Sequence, residues 1–141
     1  MAKMILYVCN LNAVRSVLAE YMTNHWYDSQ IKAQSCGVIA GSPDGYAASV
    51  ALEHQIDITE HESRYLSDMD LAGFDEIISL SEEAAQEVAR LSLPEQVRTA
   101  FWPVRDFVGV GQTRDERLVV YRSVFEEIET HILGHFGSKK G

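Results

Sequence analysis

The feature that most constrains the fold is the alternation of short apolar runs with longer segments of helical period. Met4 to Val8 is apolar throughout and β-branched or aromatic at Ile5, Tyr7 and Val8, as a strand buried on both faces should be. After a polar break at Asn10–Asn12, residues Val14, Val17, Leu18, Tyr21 and Met22 recur at helical spacing up to about Trp26. A second strand is expected from Ile31 to Val38, then a turn-rich Gly41-Ser42-Pro43-Asp44-Gly45, then a helix through Ala47, Val50 and Ala51, with the apolar Ile56 beyond it. Asp75 to Leu80 reads as a third strand and Val97 to Trp102 as a fourth. Between them, Ser81 is placed to cap a helix whose first turn carries Glu82 and Glu83, and Pro94 ends that region. The tail from about Arg114 to Phe136 reads as one amphipathic helix, with Leu118, Tyr121, Val124, Phe125, Ile128 and Ile132 on one face.

This alternation predicts an α/β, flavodoxin-like three-layer sandwich around a central four-stranded parallel sheet. A chain of 141 residues, 46% hydrophobic and 23% charged, has the length and balance of one globular domain, and residues 1–141 are expected to form it. In such sheets ligands bind outside the carboxyl ends of the strands. That directs attention to the residues after Val8, Val38 and Trp102.

The net charge of -9 argues against nucleic-acid binding, which needs clustered Lys and Arg. It leaves room for a small anion held locally by backbone N–H groups and one arginine. No apolar run approaches the roughly 20 residues of a membrane span, and the opening segment is too short to read as a signal peptide. With two cysteines and no framework spacing, a reduced cytoplasmic setting is expected. His25, His54, His131 and His135 show no metal-like clustering and are expected at the surface; no metal or organic cofactor is expected.

The segment after the first strand carries the chemistry. In Cys9-Asn10-Leu11-Asn12-Ala13-Val14-Arg15-Ser16, a cysteine is followed by five residues and then Arg-Ser opening a helix. A loop of that length can curl its N–H groups inward as an anion nest, and the helix N-terminus adds unsatisfied donors and a favourable dipole. Arg15 can close over the nest with a bidentate fork. Cys9 at the focus of this field is expected to be a thiolate at neutral pH. The Ser16 hydroxyl is placed to donate to it, and Asn12 to brace the curl.

Residues 9–16 resemble the Cys-x-Gly-Asn-x-x-Arg-Ser signature of low molecular weight protein tyrosine phosphatases and their arsenate reductase relatives. Ser35-Cys36-Gly37, Ile58 to Arg64, Phe74 to Ile78 and Trp102 to Asp106 resemble further family segments, so the likeness spans nearly the whole chain. It implies the phosphotyrosine phosphatase I-like fold, with Cys9 as nucleophile and Arg15 with the N–H groups of residues 10–16 (Asn10, Leu11, Asn12, Ala13, Val14, Arg15, Ser16) as the phosphate cradle. It also implies Asp106 as general acid, and Ser35 and His61 as braces of Asn12. Asp115 and Glu116 are rivals for the acid, although they read as helix N-terminal carboxylates.

The sequence departs from the family at several points. The loop glycine is Leu11, the proline after Arg-Ser is Val17, and the proline after the catalytic aspartate is Phe107. The aromatic pair that follows it is Val108-Gly109, leaving Phe107 or Tyr46 to wall a slot for an aryl ring. A second loop cysteine is replaced by Val14, and residues 79–93 contain no cysteine, so Cys36 is the one other thiol. If Ser35 faces the loop, Cys36 packs away from it.

The reading is a phosphomonoesterase, a protein tyrosine phosphatase in type, working through a phosphocysteine. Its expected partners are a phosphorylated protein or small phosphomonoester, with inorganic phosphate or a similar oxyanion in the loop. The alternatives are an arsenate reductase that uses an external small thiol, or a catalytically weak oxyanion-binding module.

Overall fold

The structure, a computed structural model, describes residues 2–39, 41, 44–107 and 110–139. Ser42 and Pro43 of the anticipated turn, and the Val108-Gly109 pair, lie outside these. Four strands, β1 (Lys3–Leu11), β2 (Ile31–Ile39), β3 (Glu76–Ser79) and β4 (Arg98–Phe101), alternate with four helices. The helices are α1 (Arg15–Trp26), α2 (Gly45–Leu52), α3 (Glu82–Ala89) and α4 (Arg114–Phe136). All strand pairs are parallel and the order is β2-β1-β3-β4. The chain therefore leaves β1 to one side for β2 and returns to its other side for β3. The carboxyl end of β1 is the switch point, where such sheets open a crevice.

Strand alternation divides the core in two. Ile5, Tyr7 and Cys9 point to one face, where Val17, Leu18 and Met22 of α1, Val50 of α2 and Phe125, Ile128 and Ile132 of α4 cover them. Leu6 and Val8 point to the other, with Cys36, Ile77 and Ala84 and Val88 of α3. These are the three layers expected from the sequence.

Helix starts follow local rules. Ser81 accepts from the Ala84 N–H, Thr113 from that of Glu116, and Asp44 from those of Tyr46 and Ala47. α1 differs: its cap position is Val14, which offers no side-chain acceptor. Its first N–H groups are left for something else.

The strand boundaries need correction. β1 runs three residues beyond Val8, because Leu11 still pairs with Ile39 and the Asn12 N–H reaches the Ile39 carbonyl at 3.4 Å. Polarity marks residues 10–12 as a break, yet pairing with β2 keeps Asn10 and Leu11 in the strand and the turn starts at Asn12. β2 likewise reaches Ile39, whereas β3 and β4 are shorter than their apolar runs. His25, His54 and His135 are exposed as anticipated, while His131 is half-buried, stacked on Trp102.

Candidate active site

The loop from β1 to α1 is built on a buried polar network centred on Asn12, which is fully buried. Its amide nitrogen donates to the hydroxyls of Ser16 and Ser35, both at 2.9 Å. Its carbonyl oxygen accepts from His61 Nε2 at 2.8 Å and from the Arg64 N–H at 3.1 Å. Every side-chain valence of Asn12 that the loop needs is thus used. Because Ser16 receives the Asn12 proton, its own hydroxyl proton is directed to the Cys9 sulfur, 2.9 Å away. Ser35 passes its proton to Glu20 Oε1 at 2.7 Å, and Arg64 Nη1 closes the network on the same carboxylate at 3.3 Å. The four residues Asn12, Ser16, Ser35 and His61 therefore stand together under the loop.

Glu20 is a member that the sequence reading lacks. Burial raises its pKa, opposed by the Ser35 hydroxyl and the Arg64 charge. His61 is pulled down to about 4 by burial and by Arg64. It is neutral, with its Nε2 proton on Asn12 and its buried Nδ1 lone pair 4.0 Å from Glu20 Oε1. Gly37 makes the crossing possible, since a Cβ there would lie 2.4 Å from the Ile39 oxygen and 2.5 Å from the Asn12 nitrogen.

Cys9 itself departs from expectation. Burial pushes its pKa up, although the Ser16 hydroxyl and N–H and the Arg15 charge all pull the other way. Its thiol donates to the Leu11 carbonyl. With β1 extended through Leu11, that carbonyl stands where an inward-curled nest would present an N–H. The expectation of a thiolate at neutral pH does not hold in this loop conformation.

Above the loop lies a cleft of about 410 Å³, lined by Asn10, Leu11, Ala13, Val14 and Arg15 from the loop and by Asp106 and Phe107 from the segment after β4. Arg15 Nη1 donates to the Val104 carbonyl at 3.0 Å, tying that segment to the loop. Backbone bonds from Trp102 to Ser79 and from Val104 to Leu80 hold it against β3. Arg15 and Asp106 thus share one cleft, and the rivals Asp115 and Glu116 lie outside its lining.

Three aromatic residues wall the cleft: Tyr46, Phe107 and Tyr121. Phe107 is buried edge-on against Tyr121, with centroids 4.7 Å apart, and Tyr46 lies 5.4 Å from Tyr121. Tyr121 donates to Asp44 Oδ2 at 2.7 Å, which fixes its ring and raises its pKa further above the value set by burial. Tyr121, Asp44 and Arg117 are lining residues that the sequence reading does not assign. The helical period puts Tyr121 on the apolar face of α4 but says nothing of the cleft beside it.

Cys36 lies on the opposite side of the sheet from Cys9, among Leu6, Val8 and Ile77. Burial pushes its thiol up to about 12. Among the described residues no three His, Cys, Asp or Glu side chains gather as metal ligands would, and no helix is long and apolar enough to cross a membrane.

A parallel α/β sheet with an uncapped helix start and a buried cysteine at its switch point defines a class of oxyanion-suited domain. The chain belongs to the low molecular weight phosphotyrosine protein phosphatase family, whose model matches residues 4–136. It is 27% identical over 130 residues to an arsenate reductase of Shouchella clausii (strain KSM-K16), covering 92% of each chain. The crystal structure of an arsenate reductase from Archaeoglobus fulgidus superposes with a TM-score of 0.75 at 27% identity, over 95% of this chain and 99% of that one. A low molecular weight protein tyrosine phosphatase from T. tengcongensis shares the fold, with a TM-score of 0.70 at 24% identity, over 93% of this chain and 95% of that one.

Proposed function

We propose that this chain is a phosphomonoesterase acting on aryl phosphates of the phosphotyrosine type. The observation that carries the reading is the placement of Cys9. It lies beneath the uncapped start of α1, with the Ser16 proton aimed at its sulfur and with Arg15 and Asp106 on the cleft above. The aromatic wall of Tyr46, Phe107 and Tyr121 supports an aryl leaving group.

On this reading the Leu11 peptide turns when an oxyanion enters, exchanging its carbonyl for an N–H facing the sulfur, and the thiol loses its proton to solvent. The thiolate attacks phosphorus and the bond to the leaving oxygen breaks. Asp106 gives that oxygen a proton. Water then attacks the phosphocysteine as Asp106 takes its proton back, and the thiolate departs with phosphate released. Arg15 and the N–H groups of residues 10–16 hold the equatorial oxygens, most tightly in the transition state. Asn12, held by Ser35 and His61, keeps the loop in place.

The arsenate reductase relative favours a second reading, in which Cys9 forms a sulfur–arsenate adduct. An external thiol would then resolve it, with two thiols oxidised as As(V) becomes As(III). Cys36 faces away and leaves no internal relay. One experiment separates the two: hydrolysis of p-nitrophenyl phosphate and phosphotyrosine by wild type and Cys9→Ser between about pH 5 and 8, beside arsenate-dependent consumption of added thiol. Phosphate release lost in Cys9→Ser supports the phosphatase. Thiol consumption without phosphate release overturns it.

A further inference from the structure

The phosphatase reading accounts for Arg15 and Asp106 but leaves a second cation on the same cleft. Arg117, in the first turn of α4, lines it together with Tyr46 and Tyr121. Its Nε donates to the Gly111 carbonyl at 3.3 Å, and its guanidinium carbon lies 6.0 Å from the Tyr46 ring centroid. Gly111 adopts φ +93°, and a Cβ there would approach the Arg117 nitrogen to 3.1 Å and its Cγ to 3.2 Å. A glycine-only turn therefore seats this arginine against the aromatic wall.

Of the two carboxylates on the cleft wall, Asp44 and Asp106, the one beside Tyr46 and Tyr121 is already committed. Asp44 spends one oxygen on the N–H groups of Tyr46 and Ala47 and the other on Tyr121. Arg64, Arg90, Arg105 and Arg122 each have a carboxylate partner among the described residues, whereas Arg117, like Arg15, Arg98 and Arg114, has none there, and of these four only Arg15 and Arg117 line the cleft. In a chain of net charge -9, an arginine held by its Nε keeps its terminal nitrogens for an acceptor from outside. The cleft, at about 410 Å³, exceeds what a lone tetrahedral anion fills.

We propose that Arg117 is a specificity-determining residue that binds a second anionic group, of carboxylate type, on the leaving group of an aryl phosphomonoester held in the cleft. This rests on the phosphatase reading for the scissile group and adds what the substrate carries at its far end.

The test uses closely matched pairs that carry or lack that charge, with the phosphonates free of any difference in leaving group. Turnover compares 4-carboxyphenyl with 4-carbamoylphenyl phosphate, and calorimetric binding compares 4-carboxybenzylphosphonate with 4-carbamoylbenzylphosphonate. Wild type should favour the carboxylate about fivefold in both, as an ion pair at a partly exposed site allows. Arg117→Gln should remove that preference, and Arg114→Gln, one turn position away and off the cleft, should keep it. Equal binding of the two phosphonates by wild type overturns the proposal, as does a preference that survives Arg117→Gln or falls equally in Arg114→Gln. Absence of turnover with the binding preference intact sinks the phosphatase reading alone.

Discussion

The two faces of the sheet hold one cysteine each, and the surroundings of Cys9 and Cys36 differ more than their burial does. Both thiols are almost fully buried and both are pushed up by desolvation. Around Cys36 the neighbours are Leu6, Val8 and Ile77, and only the Arg64 charge opposes burial. Around Cys9 the Ser16 hydroxyl, the start of α1 and the Arg15 charge oppose burial. A one-residue step along a strand reverses the face, so Cys9 shares its side with Ser35 while Cys36 is sent to the other. What sets the Cys9 face apart is the set of hydrogen-bonding and charged groups that the loop and α1 bring to it.

The largest effect is expected at Asp106. Asp106→Asn should slow phenyl phosphate hydrolysis by about 10² to 10³-fold and p-nitrophenyl phosphate far less, because the better leaving group needs no proton. Equal losses would remove the acid role, and a comparable loss in Asp115→Asn or Glu116→Gln would transfer it. Next is the network that exists on the Cys9 face alone. Asn12→Ala strips partners from Ser16, Ser35, His61 and the Arg64 N–H and should cost about 3 kcal/mol in denaturant unfolding, together with most activity. An unchanged midpoint would mean the network is not holding the loop.

The other face predicts a smaller effect. Cys36→Ala should cost about 1 kcal/mol as a small cavity and leave turnover at the wild-type level. A large loss of activity would make the two cysteines partners after all.

The buried network on the Cys9 face also makes stability depend on pH. His61 has a folded pKa near 4, below its unfolded value of about 6.5. Its contribution to stability is therefore complete above about pH 6.5 and is lost as pH falls toward 4. Imidazole NMR should find His61 neutral at pH 6. A ring still protonated above pH 7 would mean that the Glu20 carboxylate outweighs burial and Arg64.

Much of this was legible from local signals. The apolar run, the Cys-x5-Arg-Ser spacing and the amphipathic tail are each written within about twenty residues, and α4 spans Arg114–Phe136 as its period implies. What escaped reading is non-local. Glu20 sits between Ala19 and Tyr21 like any helix surface carboxylate, and becomes a network member only because β2 brings Ser35 beside it. Residues 10–12 look like a break, yet pairing with β2 keeps Asn10 and Leu11 in the strand. Arg117 and Tyr121 join the site because α4 packs beside α2, where Asp44 and Tyr46 stand. No spacing within α4 records that neighbour.

If Cys9 carries the phosphoryl group, the covalent adduct can be trapped. Wild type turning over p-nitrophenyl phosphate is quenched in alkali and examined by phosphorus NMR, with the modified peptide located by mass spectrometry. A sulfur-bound phosphoryl resonance and an adduct on the peptide containing Cys9 are expected, both absent in Cys9→Ser. Turnover with no adduct, or an adduct and turnover that survive Cys9→Ser, would contradict that role for Cys9.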